Sequence, residues 1–424
     1  MKAGSPSTNV ALIAIVAEGF LSRLSFGVIG FALPLYAYHL GMKLSEIGIL
    51  ASINLVVALA LKPAMGVVAD RFGLKRSFAA ATTLRSVVSL ALAFVTTPWQ
   101  LLTVRSVYGV SQSLRDPALD ALLAEHGGQK RISAAFGWYS TAKSVGGSLG
   151  SAVGGILLGL TASNYPLVFS VAFALSILPA FIVGRFVQEK AEGYGPPPEP
   201  SAKVAASSVV RQEAPAASRS WLTIASYIGL GTMISGTAQM LRGLLPILAT
   251  QYAGLSEAET GIIYTASTLV VMFSGPFFGW LSDNVSQKLV LMVRGVANTL
   301  SSVLFVALPN LAGITLGKAI DDVGKAAFKP AWGALMTDVA SLDLSRRAQT
   351  IGFLCMGEDA GEIVGPILAG FLWSVWGVPV VLMVRIVLAV VTEIYATVLV
   401  GSMNTRGRPA AAPAIGRARA SESS

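Results

Sequence analysis

The sequence predicts an all-α membrane protein of twelve transmembrane helices, arranged as two parallel six-helix repeats with both termini cytoplasmic. Three observations predict it. The chain of 424 residues is 54% hydrophobic and only 12% charged, about half the charge of an ordinary soluble domain. Apolar runs long enough to cross a bilayer as helix recur along its whole length. The same residue types then return at one fixed offset in the second half.

The first six runs fall at 10–40, 47–69, 78–95, 99–124, 132–160 and 166–187, and the second six at 221–252, 259–281, 289–308, 311–339, 348–376 and 378–400. In hydrocarbon every backbone polar group needs an internal partner, so these runs are helices. The first run carries Glu18 and Arg23 and lacks a small-residue cleavage site, so it reads as a span and not as a cleaved signal peptide. Residues 1–187 form the N-terminal half and 221–402 the C-terminal half. Between them, 188–220 is rich in Pro, Ala and Ser with mixed charge and no apolar period, the composition of a flexible linker. Residues 403–424 read as a tail of the same kind.

The net charge of +9 suggests nucleic acid at first sight, but its placement argues for topology and against that partner. Arg71, Lys75 and Arg76 follow the second run, Lys130 and Arg131 the fourth, Lys288 the eighth, and Arg346 with Arg347 the tenth. Loops on the opposite side, at 96–98, 161–165, 309–310 and 376–377, hold no Lys or Arg, and the first such loop has only Lys43. Positive loops stay in the cytoplasm. The single cysteine, Cys355, excludes an intrachain disulfide, and two distant histidines exclude a Cys/His metal cluster. No metal site and no cofactor are expected. No Walker loop is present, so ATP-driven transport by this chain has no support.

The repeat is explicit. Gly66 and Asp70 match Gly279 and Asp283, Lys75 matches Lys288, Arg105 matches Lys318 and Pro117 matches Pro330, all 213 positions apart. After a two-residue slip, Gly146, Gly150 and Gly155 match Gly361, Gly365 and Gly370. Parallel six-helix repeats are a transporter architecture, with the site between the halves near the midplane.

Gly66-Val-Val-Ala-Asp70-Arg71-Phe-Gly73-Leu-Lys75-Arg76 resembles the loop 2–3 signature of the major facilitator superfamily, in its bacterial proton-coupled antiporter-like branch. The copy from Gly279 to Lys288 is degenerate. The resemblance covers the chain apart from linker and tails. It implies that the acidic residue latches the two halves on the cytoplasmic side, giving a gating set of Gly66, Asp70, Arg71, Gly73, Lys75, Arg76, Gly279, Asp283 and Lys288. The basic members also have a simpler reading as topology signals. Gly66 reads as a close helix-packing position. Leu101 to Gly109 resembles a second motif of proton-coupled members, with Tyr108 where Gln is usual. Gly146 to Gly155 resembles the antiporter pattern of the fifth helix, but Ser151 stands in place of Pro, and the Pro appears instead as Pro366. Gly146, Gly150, Gly154, Gly361, Gly365 and Pro366 are therefore expected to pack helices closely, whatever is carried.

Arg105, Gly109, Gln112, Asp116 and Asp120 are spaced four, three, four and four, which puts them on one helix face. The offset carries the first four to Lys318, Asp322, Lys325 and Lys329. The resemblance implies that the first, fourth, seventh and tenth helices line a central cavity. The cavity set is then Glu18, Arg23, Arg105, Gln112, Asp116, Gln239, Arg242, Lys318, Asp322, Lys325, Lys329 and Glu358. Charges facing lipid at a helix centre cost roughly 2.5–3.5 kcal/mol or more, so these must face a wet cavity or one another. Glu18, Asp116, Asp322 and Glu358 fit a proton-coupling carboxylate. Asp116 is expected on the cavity face, and Arg115 and Asp120 at the cytoplasmic gate. Arg85, Arg294, Arg385 and Glu393 are expected as static inter-helix pairs, and Arg115 and Asp120 carry that reading beside the gate.

The function expected is a secondary active transporter that moves a small polar or charged solute by alternating access, coupled to protons and exporting. It is expected to act as a monomer in the bilayer of a bacterial cytoplasmic (inner) membrane. A metal-ion or metal-chelate carrier is the alternative, and a non-transporting assembly factor or sensor the third. An enzyme is not expected, because no nucleophile–base constellation is visible.

Overall fold

The computed structural model describes residues 6–127, 132–187, 217–284, 287–340 and 347–406. Twelve long helices follow one another: α1 Pro6–His39, α2 Leu44–Phe72, α3 Leu74–Leu92, α4 Pro98–Gly127, α5 Ile132–Leu160, α6 Tyr165–Phe186, α7 Ala217–Gln239, α8 Glu257–Asn284, α9 Gln287–Ala307, α10 Leu311–Ala340, α11 Arg347–Trp376 and α12 Val378–Arg406. Helices α7 and α12 reach a few residues into the stretches read as linker and tail, which otherwise lie outside the described residues. Four helical spans (Val10–His39, Leu44–Ala69, Tyr165–Phe186 and Val378–Leu399) are apolar enough by length and composition alone to cross a membrane. Others, such as α4 and α10, carry the charges discussed below.

The seventh run is not one helix. After Gln239 the chain turns through Gly243, at φ +73°, resumes at Leu245–Ile247 and continues as a π-helical turn, Leu248–Tyr252. The left-handed conformation favours Gly, and Pro246 brings no N–H to the ladder. The expectation of continuous helix over 221–252 is therefore corrected. Gly73, at φ +91°, makes the tight α2–α3 connection in the same way.

The two halves are built alike. In the first, α5 packs on α1 through Gly146, Gly150 and Gly154, whose missing Cβ atoms would meet the backbone of Phe20, Leu24 and Val28. In the second, α11 packs on α7 through Gly361 and Gly365, against Thr232 and Gly236. Gly150→Leu and Gly361→Leu should each cost more than the roughly 1–3 kcal/mol of ordinary overpacking, because the obstacle is backbone. Expression with fluorescence-detected size exclusion checks this, and an undiminished monodisperse peak would contradict it.

Between the halves, α5 meets α8 and α2 meets α11. Both contacts use small residues near the non-cytoplasmic ends: Gly155 on Gly261, Gly159 on Ala258, and Gly48 on Pro366 and Gly370. The core follows the same division. One apolar cluster spans both halves at that end, joining Val28, Phe31, Met42, Leu101 and Phe169 to Leu244, Leu248, Ile263, Phe305 and Leu382. Toward the cytoplasm the core splits in two. Ile15, Phe78, Leu119 and Tyr139 belong to the first half alone, and Tyr227, Phe328, Trp332 and Leu354 to the second. The molecule is thus closed on the outside and divided on the inside.

Candidate functional site

Among the described residues, charged side chains gather in three groups within the halves. The first lies in the N-terminal half. Arg115 on α4 donates to both carboxylate oxygens of Glu18 on α1, at 2.8 and 2.7 Å, and to the hydroxyl of Tyr139 on α5, at 2.8 Å. Glu18 is fully buried and Arg115 nearly so. Arg115 is thus a static inter-helix partner, as its pairing reading expects, and not a cytoplasmic gate residue, since it ties three helices of one half. Glu18 is accordingly an anchored partner in this state and not a free cavity carboxylate.

The second group is about two turns further out. Phe26 on α1 and Tyr108 on α4 stack with ring centroids 4.8 Å apart and planes 11° apart. Arg85 on α3 donates to the hydroxyl of Tyr108 at 2.6 Å and to Ser22. The guanidinium carbons of Arg23, Arg85 and Arg105 all lie 5.1–5.8 Å from one or both of these rings. Among the described residues none of the three has a carboxylate partner. The pairing expected for Arg85 is therefore corrected. A cation–π contact contributes roughly 0.5–2 kcal/mol, whereas burying an ion costs several kcal/mol. The rings cannot by themselves offset three buried guanidiniums.

The third group is in the C-terminal half, where each cation lies near a carboxylate and Asp321 serves two of them. Lys318 bonds Asp322, and Ser267 on α8 bonds both. Arg385 on α12 bonds Asp321, which also takes Lys325 at 2.6 Å. Arg294 on α9 donates to Thr237 at 2.6 Å and lies 4.0 Å from Glu393. Arg242 donates to Glu362 on α11 at 2.6 Å, and Gln239 to the same carboxylate at 3.4 Å. Lys318 and Asp322 are thus a buried pair on α10 and not open cavity residues. Asp321 was missed by the sequence reading, although its i,i+4 spacing to Lys325 was the available signal.

A small cleft between the halves, about 50 Å³ in volume, is lined by Lys62, Gln112, Ser113, Asp116, Asp359, Glu362 and apolar residues of α2 and α11. Asp116 lies in it with its side chain 36% exposed, as expected for a cavity-facing residue. Gln112 is fixed at the wall by the amide of Asn54, at 3.0 Å. Asp359 lies within electrostatic reach of Lys62, Glu362 and Asp116. Lys62 was also missed, although a lone lysine inside an apolar run is itself a signal. Glu358, one residue from Asp359, is half-buried and does not line this cleft.

At the cytoplasmic end, Arg71 and Arg76 are exposed and Lys75 is half-buried. A Cβ at Gly66 would meet nothing within 4 Å. Close packing at Gly66 is thus corrected for this state, because the halves are apart on this side. The side chains of Asp70, Asp120, Gly279, Asp283, Lys288 and Lys329 lie outside the described residues.

This architecture has known relatives. The profile of the Major Facilitator Superfamily matches residues 19–241 and 228–421. The chain belongs to that superfamily. It is 26% identical over 374 residues to the multidrug resistance protein MdtG of Proteus mirabilis (strain HI4320), covering 84% of this chain and 88% of that one. A shorter match, 24% over 149 residues, links it to the quinolone resistance protein NorA of Staphylococcus aureus (strain MRSA252), over 35% of this chain and 36% of that protein. Among solved structures, a bacterial homologue of the human lysosomal transporter Spinster, inward-facing and unoccupied, superposes with a TM-score of 0.75 at 16% identity over 97% of this chain and all of that one. The nucleoside transporter NupG superposes with a TM-score of 0.69 at 16% identity, over 93% and 99% of the two chains. The chain is a multi-pass membrane transporter of small molecules and not an enzyme.

Proposed function

We propose that this superfamily member is a proton-coupled exporter of a small charged solute, working by alternating access in a bacterial cytoplasmic membrane. The observation that carries the reading is the cleft between the halves. It sets Asp116 of one half beside Asp359 and Glu362 of the other, with Asp116 open to the space and free of the close pairing that holds Glu18 and Asp322. A coupling carboxylate must reach water and change partners during the cycle, and Asp116 has that freedom. Relatives named for drug and quinolone resistance fit export. Among the described residues no three His, Cys, Asp or Glu side chains are grouped to hold a metal ion, so the metal-carrier alternative has no specific observation in its favour.

Purified protein in liposomes loaded with a pH dye tests the proposal. Adding organic anions, organic cations and neutral solutes in turn should give a solute-dependent pH change with one charged class. Solute uptake with no proton movement would overturn the coupling.

Closure of the inner side also makes a prediction. The open space at Gly66 should disappear when α2 and α11 close over the cytoplasmic end. Gly66→Leu should therefore fold normally, with an unchanged Tm, yet lose most transport. Transport at wild-type rate would remove Gly66 from the latch.

A further inference from the structure

The two halves balance their buried charge differently. In the C-terminal half, Lys318, Lys325, Arg385 and Arg242 each bond a carboxylate, and Arg294 lies 4.0 Å from Glu393, beyond hydrogen-bond reach. In the N-terminal half Arg115 has Glu18, while Arg23, Arg85 and Arg105 have no carboxylate among the described residues. Arg105 makes no hydrogen bond to the described residues, and the Nε atoms of Arg85 and Arg105 are buried without an acceptor. Both side chains are more than nine-tenths buried, and Arg23 is the half-exposed member. Arg242, from the other half, is near enough for its charge to act on both Arg23 and Arg105. Four positive groups thus converge with one carboxylate, Glu362, among them.

Position agrees with a solute site. Arg105 lies seven residues into α4, about 10 Å below its outer end, and Asp116 about 16 Å further toward the cytoplasm. The cationic cluster is therefore the deep end of the interior, under the closed apolar cap, and the carboxylates lie nearer the open side.

We propose that Arg23, Arg85 and Arg105, with the Phe26–Tyr108 stack, bind an organic anion. Its compact carboxylate, phosphonate or phosphate group meets the guanidinium forks, and its flat apolar part packs beside the rings. Planar guanidiniums suit such groups because they donate two parallel hydrogen bonds. The anion supplies the charge that the N-terminal half lacks, as Asp321 and Asp322 supply it within the other half. The inference names the solute class for the proposed transporter, and it depends on that reading for movement but not for binding.

Thermal unfolding of the full chain in detergent, at constant ionic strength, tests it. The probes are phenylphosphonate, benzyltrimethylammonium and benzyl alcohol, of similar size and different charge. Phenylphosphonate alone should raise Tm, progressively with concentration. Arg23→Gln and Arg105→Gln should each weaken its apparent affinity at least tenfold. Ligand-free Arg105→Gln should unfold at or above the wild-type temperature, since it removes an uncompensated charge, whereas a structural arginine would lower it. Equal stabilisation by benzyltrimethylammonium, an unchanged phenylphosphonate response in both variants, or a lower ligand-free Tm for Arg105→Gln would overturn the site. Binding at the arginines without proton movement in liposomes would retire the coupling and keep the site. Proton movement that survives Arg105→Gln undiminished would do the reverse.

Discussion

Glu18→Gln should strongly destabilise the N-terminal half. It leaves the Arg115 guanidinium buried between α1, α4 and α5, with Tyr139 as its remaining close partner. Removing one member of a buried ion pair costs about 3–5 kcal/mol. The double variant Glu18→Gln/Arg115→Met should recover most of that loss, because it removes the stranded charge together with its partner. Chemical or thermal unfolding in detergent measures both. A Glu18→Gln protein as stable as wild type, or a double variant no better than the single one, would show that the pair does not hold the three helices together.

Asp116→Asn should have the largest effect on function. The side chain reaches the cleft and sits 3.9 Å from Arg115, too far for a strong bond, so its loss should change stability by no more than about 1 kcal/mol. Solute-driven proton movement should fall at least 100-fold. Solute exchange between equal concentrations on the two sides, which needs no net proton transfer, should persist. Separate assays of proton movement and of exchange distinguish the two. Loss of exchange as well would make Asp116 a solute-binding residue, and retention of proton movement would pass the coupling role to Asp359 or Glu362.

The fold was legible because its causes are local and repeated. Apolar run length, loop charge and the 213-residue offset each depend on spacing alone, and so does the glycine seam of Gly146, Gly150, Gly361 and Gly365. The break after Gln239 was not legible as such, although Gly243 and Pro246 stood in plain view, because the surrounding run is apolar throughout. The site was legible only in part. Helical periodicity places Arg105, Gln112 and Asp116 on one face, and Asp116 does line the cleft. Periodicity cannot say which helix lies opposite. That is why the sequence offers Arg115 a pairing without naming Glu18, and why it suggests for Arg85 a carboxylate that the structure does not supply. Lys62 and Asp359 owe their meeting to the α2–α11 contact, which joins residues almost 300 positions apart.

The central claim is that the halves rock about the small-residue contacts, closing one side as the other opens. Spin labels on a Cys355→Ser background measure this directly, with one pair at Leu160 and Ile262 near the outer ends of α5 and α8, and another at Trp138 and Phe277 near their inner ends. All four side chains are exposed. Without solute, the outer pair should give a short, narrow distance distribution and the inner pair a longer one. With the solute that drives proton movement, the outer distance should lengthen as the inner one shortens. Two distances that stay fixed, or that lengthen together, would contradict alternating access in this protein.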